Sequence, residues 1–336
     1  MQPPKSIGVV GNYANALAKK RALHALKLLE KAGLDYSVDR SFSLVKKAID
    51  IDEFEVDLTL VFGGDGTMLY AARHTKNRAP LLGVNCGEKG YLMNWNFLDF
   101  DRDFQHVVQG KFSVEERTRL QATIPRNIPT ALNEYLLVPK QPGHYMEYDL
   151  RINGKPVWSD ASDGVMIVTP TGSTGHAMSA MGPQVLPESK VLEIVSINSM
   201  DRARRPLIVE DSAKIELRNF HELWGCEIVA DGQRRTPVDN DLALAKGKPV
   251  YFAKRLDERK RPPPELRSLS PSAKFIVKLL EAKGGLTQKE LGTETGLPSR
   301  TIRRAMEGLI NQGRVLQAWH QTDARKTLYS LKAPDS

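Results

Sequence analysis

The chain has 336 residues, 41% hydrophobic and 26% charged, with a formal net charge of +8. That balance excludes a disordered chain, and no uninterrupted apolar stretch of roughly 18 residues is present to cross a membrane. Two cysteines, Cys86 and Cys226, exclude a disulfide framework or a four-cysteine zinc site, and they point to a reducing, cytoplasmic setting. Residues 1–20 hold only the short apolar run 7–10 and no cleavable signal pattern.

The elements follow in order. Ser6–Val10 is a short buried strand, turned by Gly11-Asn12. Asn15–Ala32 has helical spacing with Leu17, Leu23, Leu26 and Leu29 as its apolar face, and Gly33 ends it. Asp57–Phe62 is a second strand, closed by Gly63-Gly64-Asp65-Gly66-Thr67 and followed by a helix over Met68–Arg73. Pro80–Val84 is a third strand. Strands alternating with helices predict a parallel α/β sheet.

After about Gly110 the pattern changes to short alternating runs, among them Leu120–Ile124, Asn133–Val138, Tyr148–Ile152, Val165–Thr169, Ala213–Leu217, Glu227–Ala230 and Pro249–Phe252. Turn pairs such as Asn153-Gly154 and Asp231-Gly232 separate several of them, which predicts a β-sandwich. The chain from Leu256 to Pro264 has the charged, proline-rich chemistry of a linker. Ser270-Pro271 opens a further helix, Thr287 and Glu290 form a capping box for a second, and Ser299–Gln312 makes a third. Val315–Trp319 and Thr327–Leu331 complete a hairpin, so the last block is a winged helix-turn-helix. The expected domains are therefore residues 1–113 (α/β), 114–253 (all-β, sandwich-like), 254–269 (basic linker) and 270–333 (winged helix).

Charge divides the same way. Residues 1–253 carry 31 basic and 31 acidic side chains, whereas residues 254–336 carry 17 against 9. The whole excess lies in the tail, which makes the tail the candidate for a polyanion partner, with a merely solvated face as the alternative.

Several motifs carry chemistry. Glycines in the turn Gly63–Thr67 let backbone N–H groups approach phosphate oxygens, and the helix N-terminus adds positive potential. An aspartate there repels phosphate unless it holds a metal ion or accepts a hydroxyl proton. Asn133-Glu134 puts an amide and a carboxylate at the start of an apolar strand, which suits sugar hydroxyls and a base edge. Thr169 to His176 is hydroxyl-rich and precedes a short helix over Ala177–Met181, a second candidate anion or hydroxyl site. Asp163-Gly164 and Asp231-Gly232, each taken alone, are turn signals.

Taken in order and spacing, Gly63–Thr67, Gly83–Gly87, Asn133-Glu134, Asp163-Gly164, Thr169–Thr174 with Ser179, Gly182-Pro183 and Asp231-Gly232-Gln233 resemble the NAD kinase family over about Ser6 to Phe252. The resemblance implies phosphoryl transfer from ATP, or from polyphosphate, to the 2′-hydroxyl of the adenosine ribose of NAD, giving NADP. It implies Asp65 as the proton acceptor and aligner, with Gly63, Gly64, Gly66 and Thr67 on the phosphate path. Asn133 and Glu134 would hold adenosine and a ribose, and Asp163 would meet the nicotinamide end. Thr174, Gly175, His176 and Ser179 would line the adenine pocket, with Asp231 and Gln233 as further contacts. Mg2+ or another divalent ion would accompany the phosphates; no protein metal ligand is assigned. The family's usual Ala-Tyr is Gly175-His176 here, so histidine either replaces the stacking ring or merely fills space. A homodimer or homotetramer, with a neighbour completing the substrate site, is also implied.

The winged helix adds a DNA expectation. Arg300, Arg303 and Arg304 lie opposite the apolar face of the third helix, and Arg325 and Lys326 fall at the wing tip. A protein-contact module is the alternative for this block. For the body, the alternatives are an NAD(P)-sensing regulator with a kinase-like body and a lipid or sugar kinase.

Overall fold

Asn15 stands where a helix must satisfy its first amides. In the computed structural model of the chain its side-chain oxygen accepts from the amides of Leu17 (2.9 Å) and Ala18 (3.0 Å), and the helix runs Ala16–Lys31. The structure describes residues 2–12, 14–41, 48–87, 90–125, 127–221, 225–239, 241–256, 269–311, 314–320 and 323–331, with backbone alone at 98, 99, 221, 311, 317–320 and 323–326. The chain divides into two compact units, Met1–Leu256 and Asp257–Ser336.

In the first unit, strands Asp35–Asp39 and Leu58–Gly63 flank Ser6–Gly11 on opposite sides, all parallel, and Leu81–Asn85 continues the parallel set beyond Leu58–Gly63. Helix Ala16–Lys31 and helix Phe97–Val108 cover one face, where Ile7, Val9, Leu60 and Phe62 meet Ala22, Leu29, Phe100 and Phe104. Helix Asp65–His74 covers the other face, packing Met68 and Ala72 against Val10 and Val61. The first helix buries only half of the leucine stripe expected of it. Leu17 and Leu23 are exposed, and Ala18, Ala22, Ala25, Leu26 and Leu29 pack inward. Alanines let the helix approach the sheet more closely than leucines would.

The all-β part consists of two antiparallel sheets. One holds Leu120–Ile124, Leu242–Lys246, Ile215–His221, Met146–Ile152 and Lys155–Ser162; the other holds Leu207–Glu210, Val191–Ile197, Gly164–Val168, Glu134–Pro139, Cys226–Ala230 and Arg234–Val238. Their inner faces share one core, in which Leu150, Leu217 and Leu244 meet Ile167, Ile194 and Ile228, so the sandwich forms as expected. Asn153 and Gly154 both have positive φ (51° and 78°) and make a two-residue hairpin, whereas Asp231 and Gly232 (51° and 64°) open a three-residue hairpin loop that ends at Gln233. Asp163-Gly164 makes no hairpin: it joins Lys155–Ser162 to Gly164–Val168, which lie in different sheets. Gly164 fits that crossing because a Cβ there would lie 2.8 Å from the Leu137 carbonyl oxygen.

One strand is placed differently from the sequence expectation. Val250–Arg255 leaves the sandwich and returns to the first sheet, parallel to Leu81–Asn85 and antiparallel to Phe112–Arg117. The α/β and all-β parts are therefore stitched together within one unit.

In the second unit, helices Pro271–Lys283, Gln288–Thr295 and Ser299–Asn311 enclose Ile276, Leu280, Leu291, Ile302, Met306 and Leu309. Ser270 caps the first through the Ala273 amide, and Thr287 and Glu290 form the capping box. Strands Val315–His320 and Asp323–Leu331 pair antiparallel, with Leu286–Thr287 alongside. The expected linker falls mostly on residues outside those described; Lys254 and Arg255 end the returning strand instead.

Candidate active site

The strand order around Ser6–Gly11 reverses beside Leu58–Gly63, and at such a reversal the strand ends leave a crevice. The Gly63–Thr67 turn sits there. The Asn12 amide donates to the Phe62 carbonyl (3.1 Å), which ties the two strand ends together. Gly63 has to be glycine, since a Cβ would lie 2.1 Å from Thr67 Oγ1. Gly64 takes the position before the helix, and Asp65 is its first residue.

Asp65 is half-buried, and its carboxylate is aimed by the backbone. Oδ2 accepts from the Tyr91 amide (3.0 Å) and Oδ1 from the Leu92 amide (2.9 Å). Each oxygen keeps a second lone pair for a substrate hydroxyl. Gly64, Gly66, Thr67 and Gln233 line a cavity of about 450 Å3 with Gly11, Asn12, Ser41 and Tyr70. Tyr70 is pushed up to about 12 by burial and by the neighbouring Asp39 carboxylate, so it remains a neutral phenol.

A second set of residues meets at the end of the sandwich. Glu134 pairs with Val168 across one strand and Tyr135 with Ala230 across the other, which brings Asn133, Thr169 and Asp231 to one edge. Asp231 is their hub. It accepts the Asn133 amide on Oδ1 (2.7 Å), meets Arg73 Nη2 at 3.3 Å on Oδ2, and donates its own amide to the Glu134 carbonyl (3.0 Å). The Arg73 and Asp231 side chains are both almost fully buried. Burial raises the Asp231 carboxyl, against the lowering pull of the Asn133 and Leu132 amides and of Arg73. Burial, and then the Asp231 charge, push Glu134 up to about 7.

Arg73 joins the two sets. It rises from the helix that begins at Asp65, and its Nη1 donates to Gln233 Oε1 (3.3 Å) while Nη2 holds Asp231. Arg119 buttresses the same helix by donating to the Ala72 carbonyl at its C-terminal end. Sequence reading missed Arg73. The available signal was a cation following two alanines on the buried face of a short helix.

The hydroxyl-rich loop is only partly a site. Thr169, Thr171 and Ser173 are buried and committed internally: Thr169 Oγ1 donates to Leu132 O, Thr171 Oγ1 accepts from Arg117, and Ser173 Oγ donates to Pro170 O. Gly172 packs against Asn133, where a Cβ would lie 2.3 Å from the carbonyl oxygen. The helix expected over Ala177–Met181 is the four-residue turn His176–Ser179, too short to supply an anion site of its own. Thr174, Gly175, His176 and Ser179 are exposed. His176 and Ser179 line a separate cavity of about 690 Å3 with Ser196, Asn198, Arg202 and Arg205. Asp163 reaches its rim by accepting from Asn198 Nδ2 (2.8 Å). Five strand steps separate Asp163 from Val168, the partner of Glu134, or roughly 17 Å at about 3.3 Å per residue.

Among the described residues no group of three His, Cys, Asp or Glu side chains could cage a metal ion. In the second unit, Arg300, Arg303 and Arg304 are exposed on the helix face opposite Ile302 and Met306. Arg325 and Lys326 lie in the strand Asp323–Leu331, with their side chains outside those described.

Comparison with known proteins agrees with this geometry. The model of the ATP-NAD kinase N-terminal domain matches residues 7–112, that of the ATP-NAD kinase C-terminal domain residues 132–245, and a winged helix-turn-helix DNA-binding model residues 274–315. The NAD kinase of Thermococcus kodakarensis is 33% identical over 246 residues, covering 70% of this chain and 88% of its own length. That of Bacteroides fragilis is 32% identical over 244 residues (68% and 84%). An Archaeoglobus fulgidus NAD kinase solved with ATP shares the fold (TM-score 0.63, 23% identity, 75% of this chain and 93% of that one). So does yeast NADH kinase complexed with NADH (TM-score 0.68, 19% identity, 77% and 86%). With both kinase domain models matched in order around this turn, hub and loop, the chain belongs to the NAD kinase family.

Proposed function

We propose that the chain transfers the terminal phosphoryl group of ATP to the 2′-hydroxyl of the adenosine ribose of NAD, producing NADP. The observation that carries this reading is the Arg73 bridge, which links the helix of the Gly63–Thr67 turn to the Asn133–Asp231 edge. A phosphate-binding turn and an amide–carboxylate pair suited to adenosine thereby border one crevice. Asp65 is the proton acceptor and aligner. In a loose phosphoryl-transfer transition state the hydroxyl proton leaves late, so the fixed direction of this carboxylate matters more than its basicity. Gly63, Gly64, Gly66 and Thr67 face the donor phosphates. Asn133 and Glu134 receive the adenosine. Thr174, Gly175, His176 and Ser179 line the adenine pocket, and Asp163 meets the nicotinamide end.

A divalent ion such as Mg2+ enters with the donor phosphates and offsets their charge; among the described residues no group of three His, Cys, Asp or Glu side chains is assigned to hold it. The separation of Asp163 from Glu134 suits a site completed by a second copy of the chain, as a homodimer or homotetramer. No described helix is long and apolar enough to cross a membrane, and the reading places the enzyme in the cytoplasm. The second unit, with three exposed arginines on its third helix, is proposed to bind duplex DNA. The deciding experiment incubates the full chain with ATP, MgCl2 and NAD and reads NADP with an NADP-specific dehydrogenase. NADP formation supports the proposal, and its absence with NAD and NADH alike overturns it.

A further inference from the structure

Gln233 occupies a position whose chemistry the adenosine role does not use. Its Oε1 faces Arg73 Nη1 at 3.3 Å. A guanidinium can only donate, so the atom facing it must be the amide oxygen, and the amide orientation follows from chemistry alone. The NH2 group is then forced to the opposite side. There, Nε2 lies 3.6 Å from the point where a Cβ on Gly66 would stand, and Gln233 lines the cavity shared with Gly64, Gly66 and Thr67. The two N–H bonds of this amide look into the phosphate turn, in company with its backbone donors.

Resting on the kinase reading above, we propose that Gln233 is a donor to the phosphate oxygens of ATP and that Arg73 is the positioning residue that fixes its orientation. Arg73 sits where a single planar fork reaches both Asp231 and Gln233. Nη2 holds Asp231, and through it the Asn133 edge; Nη1 holds Gln233, and through it the phosphate turn. A flexible amide free to rotate would offer its oxygen to the phosphates half of the time. Pinned by Arg73, it offers only hydrogens, and nothing must reorganise when ATP arrives.

The test uses the full chain and two readouts, steady-state KM values for ATP and NAD and direct calorimetric binding of ATP with MgCl2. Gln233→Glu keeps the oxygen for Arg73 but replaces the donor by a carboxylate oxygen. It is expected to weaken ATP binding by tenfold or more, and by clearly more than it raises the KM for NAD. Gln233→Ala is expected to weaken ATP binding about threefold to tenfold. Arg73→Lys keeps the charge but loses the fork. It is expected to match Gln233→Ala and to add little on that background, the non-additivity that marks one pathway of action. ATP binding within twofold of wild type in Gln233→Glu overturns the proposal, as does an equal loss for ATP and NAD or full additivity with Arg73→Lys. If wild type binds ATP and the Gln233 variants do not, yet none makes NADP, the Gln233 role stands and the kinase reading falls. A wild type that does not bind ATP removes both. Unchanged melting temperatures for the Gln233 variants separate the effect from unfolding.

Discussion

Asp231 Oδ1 accepts the backbone amide of Asn133 at 2.7 Å across 98 residues of sequence. The bond fixes the start of one sandwich strand to the loop of a hairpin whose first strand is its neighbour in the sheet, and Arg73 closes the same carboxylate from the α/β side. A buried carboxylate with a guanidinium and backbone amides around it is tolerated because each oxygen has a donor. Asp231→Ala leaves the Arg73 charge buried without its ion partner. We expect a loss of about 3–5 kcal/mol in urea unfolding, with Asp231→Asn milder because it still accepts from Asn133. A loss below ~1 kcal/mol for the alanine variant would contradict this.

Asp65→Asn keeps one acceptor for the Tyr91 or Leu92 amide but removes the negative proton acceptor. Turnover is expected to fall by roughly 10²–10⁴-fold, while far-ultraviolet circular dichroism and the melting temperature stay near wild type. The coupled NADP assay checks the first point. Near-normal turnover would remove Asp65 from the chemistry.

Glu193 is a buried carboxylate outside the hub. It is 1% exposed, and neither oxygen has a hydrogen-bond partner among the described residues. Burial pushes it up to about 7. The folded state therefore holds its proton while the unfolded chain, with an ordinary value near 4.5, has already released it. The stability associated with the neutral form is present below about pH 4.5 and is lost as pH rises to about 7. Glu193→Gln is neutral at every pH and escapes that loss. Relative to wild type, the variant is expected to gain about 1–3 kcal/mol between pH 5 and pH 8, measured by paired urea titrations. A difference that does not change with pH would refute the account.

His176 is exposed on the rim of the larger cavity, where a wider ring has room. His176→Tyr is expected to lower the KM for NAD by about threefold to tenfold, the worth of improved ring stacking, roughly 0.5–1.5 kcal/mol. Initial-rate measurements at saturating ATP decide it, and an unchanged KM would make His176 a simple filler.

Arg300, Arg303 and Arg304 touch nothing in the core of the second unit, so replacing all three by alanine should leave its helices folded. Binding of the full chain to duplex DNA is expected to weaken by at least tenfold, and the wild-type affinity should fall steeply as salt rises. Fluorescence anisotropy at two salt concentrations measures both. Salt-independent binding, or binding unaffected by the triple variant, would leave the arginines without this role.

Local features were readable from sequence because their causes are local. Asn15, Ser270 and the Thr287–Glu290 pair cap the helices they precede, and Asn153-Gly154 and Asp231-Gly232 turn where their φ preferences require. The order of motifs marked the Gly63–Thr67 turn and the Asn133-Glu134 pair as parts of one family pattern. Long-range facts were not readable. The hydroxyls of Thr169, Thr171 and Ser173 looked available, and tertiary contacts consume them. Leu17 and Leu23 had the spacing of a core face, but closer packing through Ala18, Ala22 and Ala25 prevails. Arg73 gave no spacing signal, because its partners Asp231 and Gln233 lie 158 and 160 residues away.

The strand Val250–Arg255 has a further consequence, for synthesis. It lies between Leu81–Asn85 and Phe112–Arg117, so the sheet that carries the Gly63–Thr67 turn lacks an interior strand until Arg255 has been made. A nascent chain cannot finish its nucleotide crevice half by half. Until then Phe112–Arg117 and the Leu81 end of Leu81–Asn85 lack their partner, a window in which wrong pairing competes and chaperones find work.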